Sequence, residues 1–469
     1  MAQAKGRLRA GRMLTLQAYL PSNLWLTRVK TGGDSSAVDL KITPAKTLSG
    51  TIRVPGDKSI SHRAVMLGAL AHGDTCLENF LPSEDCLATV RCLNALGVKF
   101  TTVAKDKMYV HGQGLSGLTE PFEVLDAGNS GTTIRLLSGI LAGQPFFSTL
   151  TGDASLCRRP MGRVVKPLTQ MGAEIWGRQD GNYPPLAIRG GKLKGIHYTL
   201  PVASAQVKSA ILLAGLFAAG KTLVTEPIPT RDHTERMLKF FKAKLSLANN
   251  TIQVEGGRPL TAKKIYVPGD ISAAAFFLVA GAIVPEADIT LTKVGINPTR
   301  TGIIEVLKKM GADIVIFNQQ ELNNEPFADL RVKAASLKGV SIEGKLIPRL
   351  IDEIPILAVA AANAQGETII RDAAELKVKE SNRLATVAEE LRKFGVKITE
   401  LADGLIIQGG GRGTLQGAEC FSHKDHRIAM AMAVAGLAAQ GQTLIKDTKC
   451  IATSFPDFEQ VLNTLRVPS

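Results

Sequence analysis

Aromatic residues are scarce in this chain, since Phe, Trp and Tyr make up 5% of its 469 residues, whereas 45 residues are Gly. This composition argues against an aromatic-rich β-sandwich and favours tightly packed α/β layers. No apolar run is long enough to cross a bilayer, because Gly, Gln or charged residues interrupt every Ala/Leu/Val stretch. The length predicts two or more domains.

The six cysteines form no CxxC pair, and no Cys/His cluster has the spacing of metal ligands. We therefore expect reduced thiols in a cytoplasmic protein, and no metal site.

The formal net charge of +14 is compatible with binding to nucleic acid, to a membrane surface or to small anions. The prominent basic residues stand singly beside Gly, Ser or Pro, and do not cluster with aromatic residues on one face. This pattern predicts discrete pockets for small anions, with neither a nucleic-acid nor a membrane partner.

Residues 1–41 differ from the rest, because only basic charges precede the first acidic residue, Asp34. A disordered leader, a tag remnant and an upstream start with Met13 as an alternative initiator all fit this segment. An Arg-rich, acid-poor transit peptide is the other possibility, but serine is scarce there. We expect a basic, disordered leader.

An internal repeat organises the remainder of the chain. Each module begins with a polar turn and continues through a small-apolar helix and a Gly or turn into a short β-branched strand. The period is about 70 residues, and the modules begin at Asp57, Asn129, Ser204, Asp270, Asp352 and Asp425. A second marker, an amphipathic helix end followed by a strand, keeps the same period, as in LNALGVKF ending at Phe100 and LRKFGVKI ending at Ile398.

Six modules predict an α/β fold of two inside-out domains, each of three βαβαββ-like repeats. The tetrapeptide VPGD occurs at residues 54–57 and 267–270, three modules apart, and Pro and Gly beside a strand end suit a chain crossing. We therefore predict a first domain of residues 56–268 and a second of residues 42–55 plus 269–469. The helices that open the modules are apolar on all sides, which predicts buried helices and outer sheets.

One nucleotide-binding pattern is set aside. Gly215, Gly220, Lys221 and Thr222 match GxxxxGK[ST], which requires a strand before the loop and a helix after it. Here the pattern predicts a helix before the loop and a strand after it. We therefore interpret it as a turn of the repeat.

The module starts carry residues that suit anion binding. A helix N-terminus attracts anions through its free N–H groups and its dipole, and GDKSISHR, NSGTTIR and SAQVKSA all precede predicted buried helices. Arginines in RRPMGR, TRDHTE, VKESNR and KDHR offer planar forks for carboxylate and phosphate. Asp352 and Glu380 are carboxylates among these cations, and are candidates for a base and an acid. Each motif alone also fits an N-cap, a tight turn or a surface ion pair.

In this order, GDKSISHR, NSGT, RPMGR, SAQVKSA, TRDHTE, IDE-P, VKESNRL, DHRIAM and TSFPDF resemble the 5-enolpyruvylshikimate-3-phosphate synthase family, in its bacterial type with SAQ and RDHTE motifs. The resemblance covers about residues 42–465 and implies two inside-out domains of three repeats. It also implies transfer of the enolpyruvyl group of phosphoenolpyruvate to the 5-hydroxyl of shikimate 3-phosphate, with release of phosphate, in the shikimate pathway of aromatic amino acid biosynthesis. No metal or organic cofactor is implied.

The resemblance also implies a role for each motif residue. Asp352 is expected to be the base for the 5-hydroxyl, and Glu380 with Lys58 to protonate the methylene carbon. The expected ligands of shikimate 3-phosphate are Lys58, Ser59, Arg63, Ser204, Ala205, Gln206, Arg231, Asp352 and Lys379. The expected ligands of phosphoenolpyruvate are Lys58, Gly131, Arg159, Gln206, Arg383 and Arg427. Glyphosate competes for the phosphoenolpyruvate pocket in this family, and an Ala methyl at position 131 is expected to project into the space it needs.

The chain departs from part of the family at Thr453, where many relatives of the plant and enteric type have Lys. One cationic contact to phosphoenolpyruvate is therefore expected to be missing, or to come from another residue. The sister enzyme that acts on UDP-N-acetylglucosamine shares the fold. Its members often place a Cys acid five residues before an Arg-Pro pair, where this chain has Ala154, with Cys157 out of register. A basic, repeat-built protein that binds nucleic acid or another anion is the alternative from a different class. We expect a monomer that binds small anionic substrates and closes on them about hinges near residues 55 and 268.

Overall fold

Short strands and helices alternate along residues 38–465, the part of the chain that the computed structural model describes. The strands are β1 (Leu40–Ile42), β2 (Ser49–Ile52), β3 (Ala71–Glu78), β4 (Lys99–Ala104), β5 (Lys107–Gln113), β6 (Leu125–Asp126), β7 (Phe147–Thr151), β8 (Glu174–Gly177), β9 (Tyr183–Arg189), β10 (His197–Thr199), β11 (Lys221–Thr225), β12 (Leu245–Ala248), β13 (Thr251–Glu255), β14 (Leu260–Thr261), β15 (Lys264–Tyr266), β16 (Asp288–Gly295), β17 (Asp313–Leu322), β18 (Glu325–Lys333), β19 (Ser341–Ile342), β20 (Gln365–Ile370), β21 (Lys397–Glu400), β22 (Leu405–Gly410), β23 (Glu419–Phe421) and β24 (Thr443–Lys446).

The helices are α1 (Lys58–Leu70), α2 (Glu84–Ala95), α3 (Gly131–Ala142), α4 (Gly162–Gln170), α5 (Arg178–Gly181), α6 (Ala205–Gly215), α7 (His233–Phe240), α8 (Ile271–Ile283), α9 (Gly302–Lys309), α10 (Ile354–Ala362), α11 (Arg383–Lys393), α12 (His426–Ala438) and α13 (Phe458–Leu465). Short 3₁₀ helices lie at Leu156–Arg158, Gly344–Arg349, Ile351–Glu353, Ala374–Val378 and Thr448–Thr453. Most of the predicted leader, residues 1–37, lies outside the described residues. Leu40 and Lys41 already belong to β1, which pairs with β24.

The helices fall into two kinds, which alternate along the chain. The helices that open the modules, α1, α3, α6, α8, α10 and α12, are buried along nearly their whole length. In α8, with the sequence ISAAAFFLVAGAI, every residue is buried, so the helix has no polar face. The helices of the second kind, such as α4 and α9, bury only one face. The prediction of buried helices at the module starts is therefore confirmed.

The sheets repeat one pattern, in which a parallel edge strand, a central strand and an antiparallel hairpin lie side by side. Four sheets have this pattern, in the orders β6-β7-β9-β8, β10-β11-β13-β12, β19-β20-β22-β21 and β2-β16-β18-β17. A fifth sheet has the order β3-β5-β4, and two short strands, β14 and β15, share the place of the parallel edge strand beside β3. The remaining sheet, β1-β24-β23, keeps the parallel pair but has β1 in place of the hairpin. Alternate residues of strands such as β13 are buried, so one sheet face covers the helices. The predicted α/β class is confirmed.

The glycine of the second marker has a structural reason. Gly97 follows α2 with φ +90°, and Gly395 follows α11 with φ +85°, the left-handed conformation that ends a helix. In the third module Lys242 adopts φ +70° at the equivalent place, which explains why the marker is hard to see there.

Two separate groups of buried apolar side chains lie on either side of the chain crossings. One group consists of residues between 60 and 267, and the other of residues 40–54 and 271–465. At the crossings, Asp57 N–H donates to Pro268 O at 2.8 Å and Asp270 N–H donates to Pro55 O at 2.9 Å. The two VPGD segments are therefore paired with each other. Within residues 38–465, none of the helices has the length and apolarity that a membrane span needs.

Candidate active site

A cleft of about 680 Å³ is lined by residues from both sides of the chain crossings. Every residue to which the motifs give a catalytic or ligand role lines it. They are Lys58, Ser59, Arg63, Gly131, Arg159, Ser204, Ala205, Gln206 and Arg231 from one side, and Asp352, Lys379, Glu380, Arg383 and Arg427 from the other. Residues as far apart in sequence as Lys58 and Arg427 are thus brought to one site.

Helix N-termini converge on this cleft. Lys58, Gly131 and Ala205 are the first residues of α1, α3 and α6, and all three line it. Arg383 and His426 begin α11 and α12 from the opposite side. Because each N-terminus carries a partial positive charge, the fold itself makes the cleft attractive to anions.

Lys58 is held in place by a carboxylate. Its Nζ donates to Asp85 Oδ2 at 2.9 Å, and Asp85 lies in the first turn of α2. Burial alone would lower the pKa of Lys58, but the charges of Asp85 and Glu380 outweigh it and raise that pKa above its usual value. Lys58 is therefore an ammonium group near neutral pH, fixed at the start of α1.

Arg63 is buried among neutral oxygens. It donates to Thr234 Oγ1 at 2.7 Å, to Ser209 Oγ at 2.9 Å and to Ser59 O at 2.9 Å. Burial lowers the pKa of Arg63 to about 10. The side chain therefore keeps its charge at neutral pH. Because none of these three contacts is with a carboxylate, the positive charge can attract an anion in the cleft.

A cluster of arginines surrounds the start of α3. A Cβ added at Gly131 would lie 2.8 Å from Arg135 Nη1 and 3.3 Å from Arg159 Nη1, so both guanidinium groups lie against this glycine. Arg135 Nη1 donates to Gln206 Oε1 at 2.9 Å, and Arg159 Nη2 donates to Asn129 Oδ1 at 2.7 Å. Burial, and then the neighbouring arginine charges, lower the pKa of Arg135 to about 9. The cations repel one another, and an anion bound between them would relieve this repulsion.

Asp352 lies among cations from both sides of the cleft. Its Oδ2 accepts from Arg231 at 2.6 Å, and its Oδ1 lies 3.2 Å from Arg383 and 3.5 Å from Lys379. Burial raises the pKa of Asp352, but Lys379, Arg231, Arg427 and Arg383 together hold it well below the usual range. Asp352 is therefore ionised near neutral pH, as a base must be, but its basicity is low while all these cations face it.

Glu380 is the second carboxylate of the cleft. It accepts from Arg383 Nη2 at 2.5 Å and lies 3.6 Å from Arg159 Nη1. Burial raises its pKa, but Arg383, Arg159, His426 and Lys58 outweigh burial and place it well below the usual range. Glu380 is thus ionised in this arrangement, and it must take up a proton before it can act as an acid.

Several ion pairs join the two sides of the cleft. Besides Arg231–Asp352 and Arg159–Glu380, Arg163 makes a two-pronged contact with Glu375, at 3.2 and 2.9 Å. Each pair takes its cation from residues before the second crossing and its carboxylate from residues after it. The carboxylates therefore balance cations that would otherwise face one another.

Among the lining residues that the motif reasoning missed are the charged side chains of Asp85, Arg135, Arg300 and Glu375. Arg135 was detectable, because it lies four residues after Gly131 on a predicted helix and so on the same face. Asp85, Glu375 and Arg300 carry no local signal, since their partners are distant in sequence.

Thr453 and Cys157, which mark differences from related enzymes in the sequence, do not line the cleft. Thr453 lies on the 3₁₀ helix Thr448–Thr453, and its hydroxyl donates to Cys450 O at 2.7 Å. Cys157 donates to Gly152 O at 3.3 Å. Position 453 therefore supplies no cation, and among residues 38–465 no thiol lines the cleft.

A group of possible metal ligands lies outside the cleft, at Glu389, Glu390 and His423. Both oxygens of Glu390 accept from Lys393 Nζ, at 2.8 and 2.9 Å. This ammonium group already balances the buried carboxylate.

The fold and this cleft define a class of protein that binds small anionic molecules between converging helix N-termini. Comparison with known proteins identifies the family. Residues 42–462 match the family model for EPSP synthase (3-phosphoshikimate 1-carboxyvinyltransferase). A relative from Desulforamulus reducens, named 3-phosphoshikimate 1-carboxyvinyltransferase, is 60% identical over 92% of this chain and 100% of its own length. A relative of the same name from Synechococcus sp. is 57% identical over 93% of this chain and 98% of its own.

Solved structures agree with the sequence relatives. The structure of EPSP synthase from Acinetobacter baumannii superposes with a TM-score of 0.82 at 48% identity, over 91% of this chain and 98% of that one. The chain belongs to the EPSP synthase family.

Proposed function

We propose that this chain is a 3-phosphoshikimate 1-carboxyvinyltransferase, which transfers the enolpyruvyl group of phosphoenolpyruvate to the 5-hydroxyl of shikimate 3-phosphate and releases phosphate. The observation that carries the proposal is the convergence of two carboxylates and many single cations in one cleft of a chain of this family. Both substrates are small anions with phosphate and carboxylate groups, which planar guanidinium forks and helix N-termini suit.

Shikimate 3-phosphate is proposed to bind mainly along α1 and α6. Ser59 and Arg63 hold its carboxylate, while Ser204, the Ala205 amide, Gln206, Arg231 and Lys379 hold its phosphate. The neutral partners of Arg63 and the helix start at Ala205 support this assignment. Arg231 and Lys379 both face Asp352, so the phosphate would bind beside the proposed base.

Phosphoenolpyruvate is proposed to bind at the start of α3. Lys58, the Gly131 amide, Arg159 and Gln206 hold its phosphate, and we add Arg135 because its guanidinium lies beside both Gly131 and Gln206. Arg383 and Arg427 hold its carboxylate. Both lie at helix N-termini on the opposite side of the cleft: Arg383 is the first residue of α11, and Arg427 is the second residue of α12.

The proposed chemistry uses the two carboxylates in turn. Asp352 takes the proton of the 5-hydroxyl as its oxygen attacks the enol carbon, and Glu380 with Lys58 delivers a proton to the methylene carbon. The tetrahedral adduct then loses a proton and expels phosphate. The low pKa of Asp352 fits this order, because a phosphate that engages Lys379 and Arg231 relieves their effect and makes Asp352 a stronger base only when substrate is present.

The architecture of the chain is proposed as two domains, residues 56–268 and residues 42–55 with 269–469. The two separate apolar groups and the paired VPGD segments support this division. We further propose a cytoplasmic monomer without nucleic-acid or membrane partners. The cysteines among residues 38–465 are free thiols, as is typical of a reducing compartment.

Phosphate release tests the proposal. Purified protein should release phosphate when shikimate 3-phosphate and phosphoenolpyruvate are supplied together, and not with either alone. Phosphate release with UDP-N-acetylglucosamine in place of shikimate 3-phosphate would assign the sister activity instead. Binding of DNA with steep salt dependence and no turnover would favour a binding protein.

A further inference from the structure

Arg300 lies at the floor of the cleft, where the two chain crossings meet, and none of the motifs includes it. Its side chain is 2% exposed, yet it lines the cleft. It precedes α9, in the second half of the chain. An arginine so deeply buried needs several polar partners, because an unpaired buried charge is strongly unfavourable.

The guanidinium of Arg300 contacts both VPGD segments at once. Its Nη1 lies 3.2 Å from Asp57 Oδ2, and its Nη2 lies 3.3 Å from Asp270 Oδ1. The carboxylates of Asp57 and Asp270 cap α1 and α8, accepting from Ile60 N–H at 2.8 Å and Ser272 N–H at 2.8 Å. One arginine therefore holds the caps of two helices on either side of the crossing.

A further contact extends this cluster to α7. Arg300 Nη1 donates to His233 Nε2 at 3.3 Å, and His233 Nδ1 lies 2.7 Å from Glu325 Oε1. Since a guanidinium can only donate, Nε2 accepts and the ring proton is on Nδ1, which donates to Glu325. His233 follows Arg231 by two residues, so the contact also fixes the start of the helix beside that arginine.

Two short paths lead from Arg300 to the proposed catalytic residues. On one side, Asp270 Oδ2 accepts from the backbone N–H of Lys58 at 3.2 Å. On the other side, Arg300 Nη2 donates to Ser272 Oγ at 2.6 Å, and Ser272 in turn donates to the Glu353 carboxylate. Glu353 is the neighbour of Asp352 in sequence.

We propose that Arg300 is a positioning residue that aligns Lys58 with Asp352 across the cleft by holding the N-caps at both chain crossings. This inference rests on the proposed function. Arginine suits the place because its rigid fork can contact two carboxylates, a hydroxyl and an imidazole together, whereas the single ammonium group of lysine cannot. Removing the fork leaves each half folded but lets the two catalytic groups shift relative to each other. A shift of about 1 Å is enough to lower turnover about a hundredfold.

Three variants separate positioning from stability. Arg300→Lys keeps the charge and loses the fork. Arg300→Met combined with Asp57→Asn and Asp270→Asn removes the buried charges together, while Asn retains the capping function. The control is Glu390→Gln with Lys393→Met, which removes an ion pair of the second half whose carboxylate is buried and which does not line the cleft.

For each variant we would measure the melting temperature, the Kd of shikimate 3-phosphate by calorimetry, and kcat with both substrates. Both Arg300 variants are expected to bind shikimate 3-phosphate within about tenfold of the unmodified chain, and to lose about a hundredfold in kcat. The control is expected to lose melting temperature but keep kcat. A folded Arg300 variant with kcat within threefold of the unmodified chain would overturn the inference. So would a loss of kcat in the control equal to that in Arg300→Lys.

The unmodified chain serves as the reference in the same assay. If it releases no phosphate with the two substrates, the proposed function fails. If it turns over, only the variants decide the role of Arg300, so the two failures are distinguishable.

Discussion

Replacement of Asp352 by asparagine should change turnover and substrate affinity in opposite directions. The proposed base is lost, so kcat should fall by about two to four orders of magnitude, the usual effect of removing a general base. The carboxylate also competes with the substrate, because Arg231 donates to it at 2.6 Å and Lys379 lies 3.5 Å away. A phosphate that binds these two cations must draw them away from Asp352.

The size of the affinity gain follows from the contacts that are exchanged. A hydrogen bond to a charged group contributes about 1.5–3 kcal/mol. Asparagine retains a neutral oxygen acceptor, so only part of this is lost, and we take about 1.4 kcal/mol. That difference corresponds to about tenfold tighter binding of shikimate 3-phosphate.

Calorimetry with shikimate 3-phosphate alone gives the affinity, and phosphate release with both substrates gives kcat. The matched control is Asp288→Asn, because Asp288 pairs with Arg331 at 2.5 Å on the surface and does not line the cleft. It should leave both quantities unchanged. Turnover of Asp352→Asn within tenfold of the unmodified chain would remove Asp352 as the base. Weaker binding of shikimate 3-phosphate would refute the competition between carboxylate and substrate.

Three further outcomes are expected. Gly131→Ala places a methyl against Arg135 and Arg159, so the KM of phosphoenolpyruvate should rise by about tenfold, as overpacking costs about 1–3 kcal/mol. The inhibition constant of the longer ligand glyphosate should rise by a larger factor than this KM. If both constants rise by the same factor, displacement of the arginines, and not the loss of space, causes the effect. Scattering should show a smaller radius of gyration when both substrates are present, because their phosphate and carboxylate groups should be bound by cations from both sides of the cleft, and an unchanged curve would contradict closure. Burial lowers the pKa of His62 and His426 well below the usual value, so below about pH 6.5 the unfolded chain takes up protons that the folded chain does not. The free energy of unfolding should therefore fall by about 2–3 kcal/mol between pH 7.5 and 5.5, measured with urea, and a constant value would refute it.

The fold was predictable because its signals are local and repeated. A helix such as α8 has no polar residue beyond its first turn, and this alone indicates burial on all sides. The second marker was readable wherever a glycine takes the left-handed position after the helix, and it was obscured where Lys242 takes that position instead. Strand order was accessible only through the repeat, since pairs such as β2 with β16 join segments far apart in the chain.

The candidate site was predictable to the extent that its residues belong to helix starts. Lys58, Ser204 and Arg383 stand at or beside an N-terminus, where the pattern of polar turn and apolar helix marks them. The charge balance was not predictable, because it depends on which groups meet across the cleft. Arg231 was expected to hold only phosphate, yet in the structure it also contacts Asp352, a partner 121 residues away.

The inside-out repeat explains why this cleft carries so many cations and also has ion pairs between its two sides. Burying helices on all sides directs several N-termini towards one region, and their partial positive charges add to those of Lys58 and the arginines. Such a site repels itself unless carboxylates of the opposite half are inserted, as Asp352, Glu380 and Glu375 are. Two of these carboxylates are also the proposed base and acid. The cations that pair with Asp352 are then the ones an anionic substrate must engage, so substrate binding and activation of the base are a single electrostatic event.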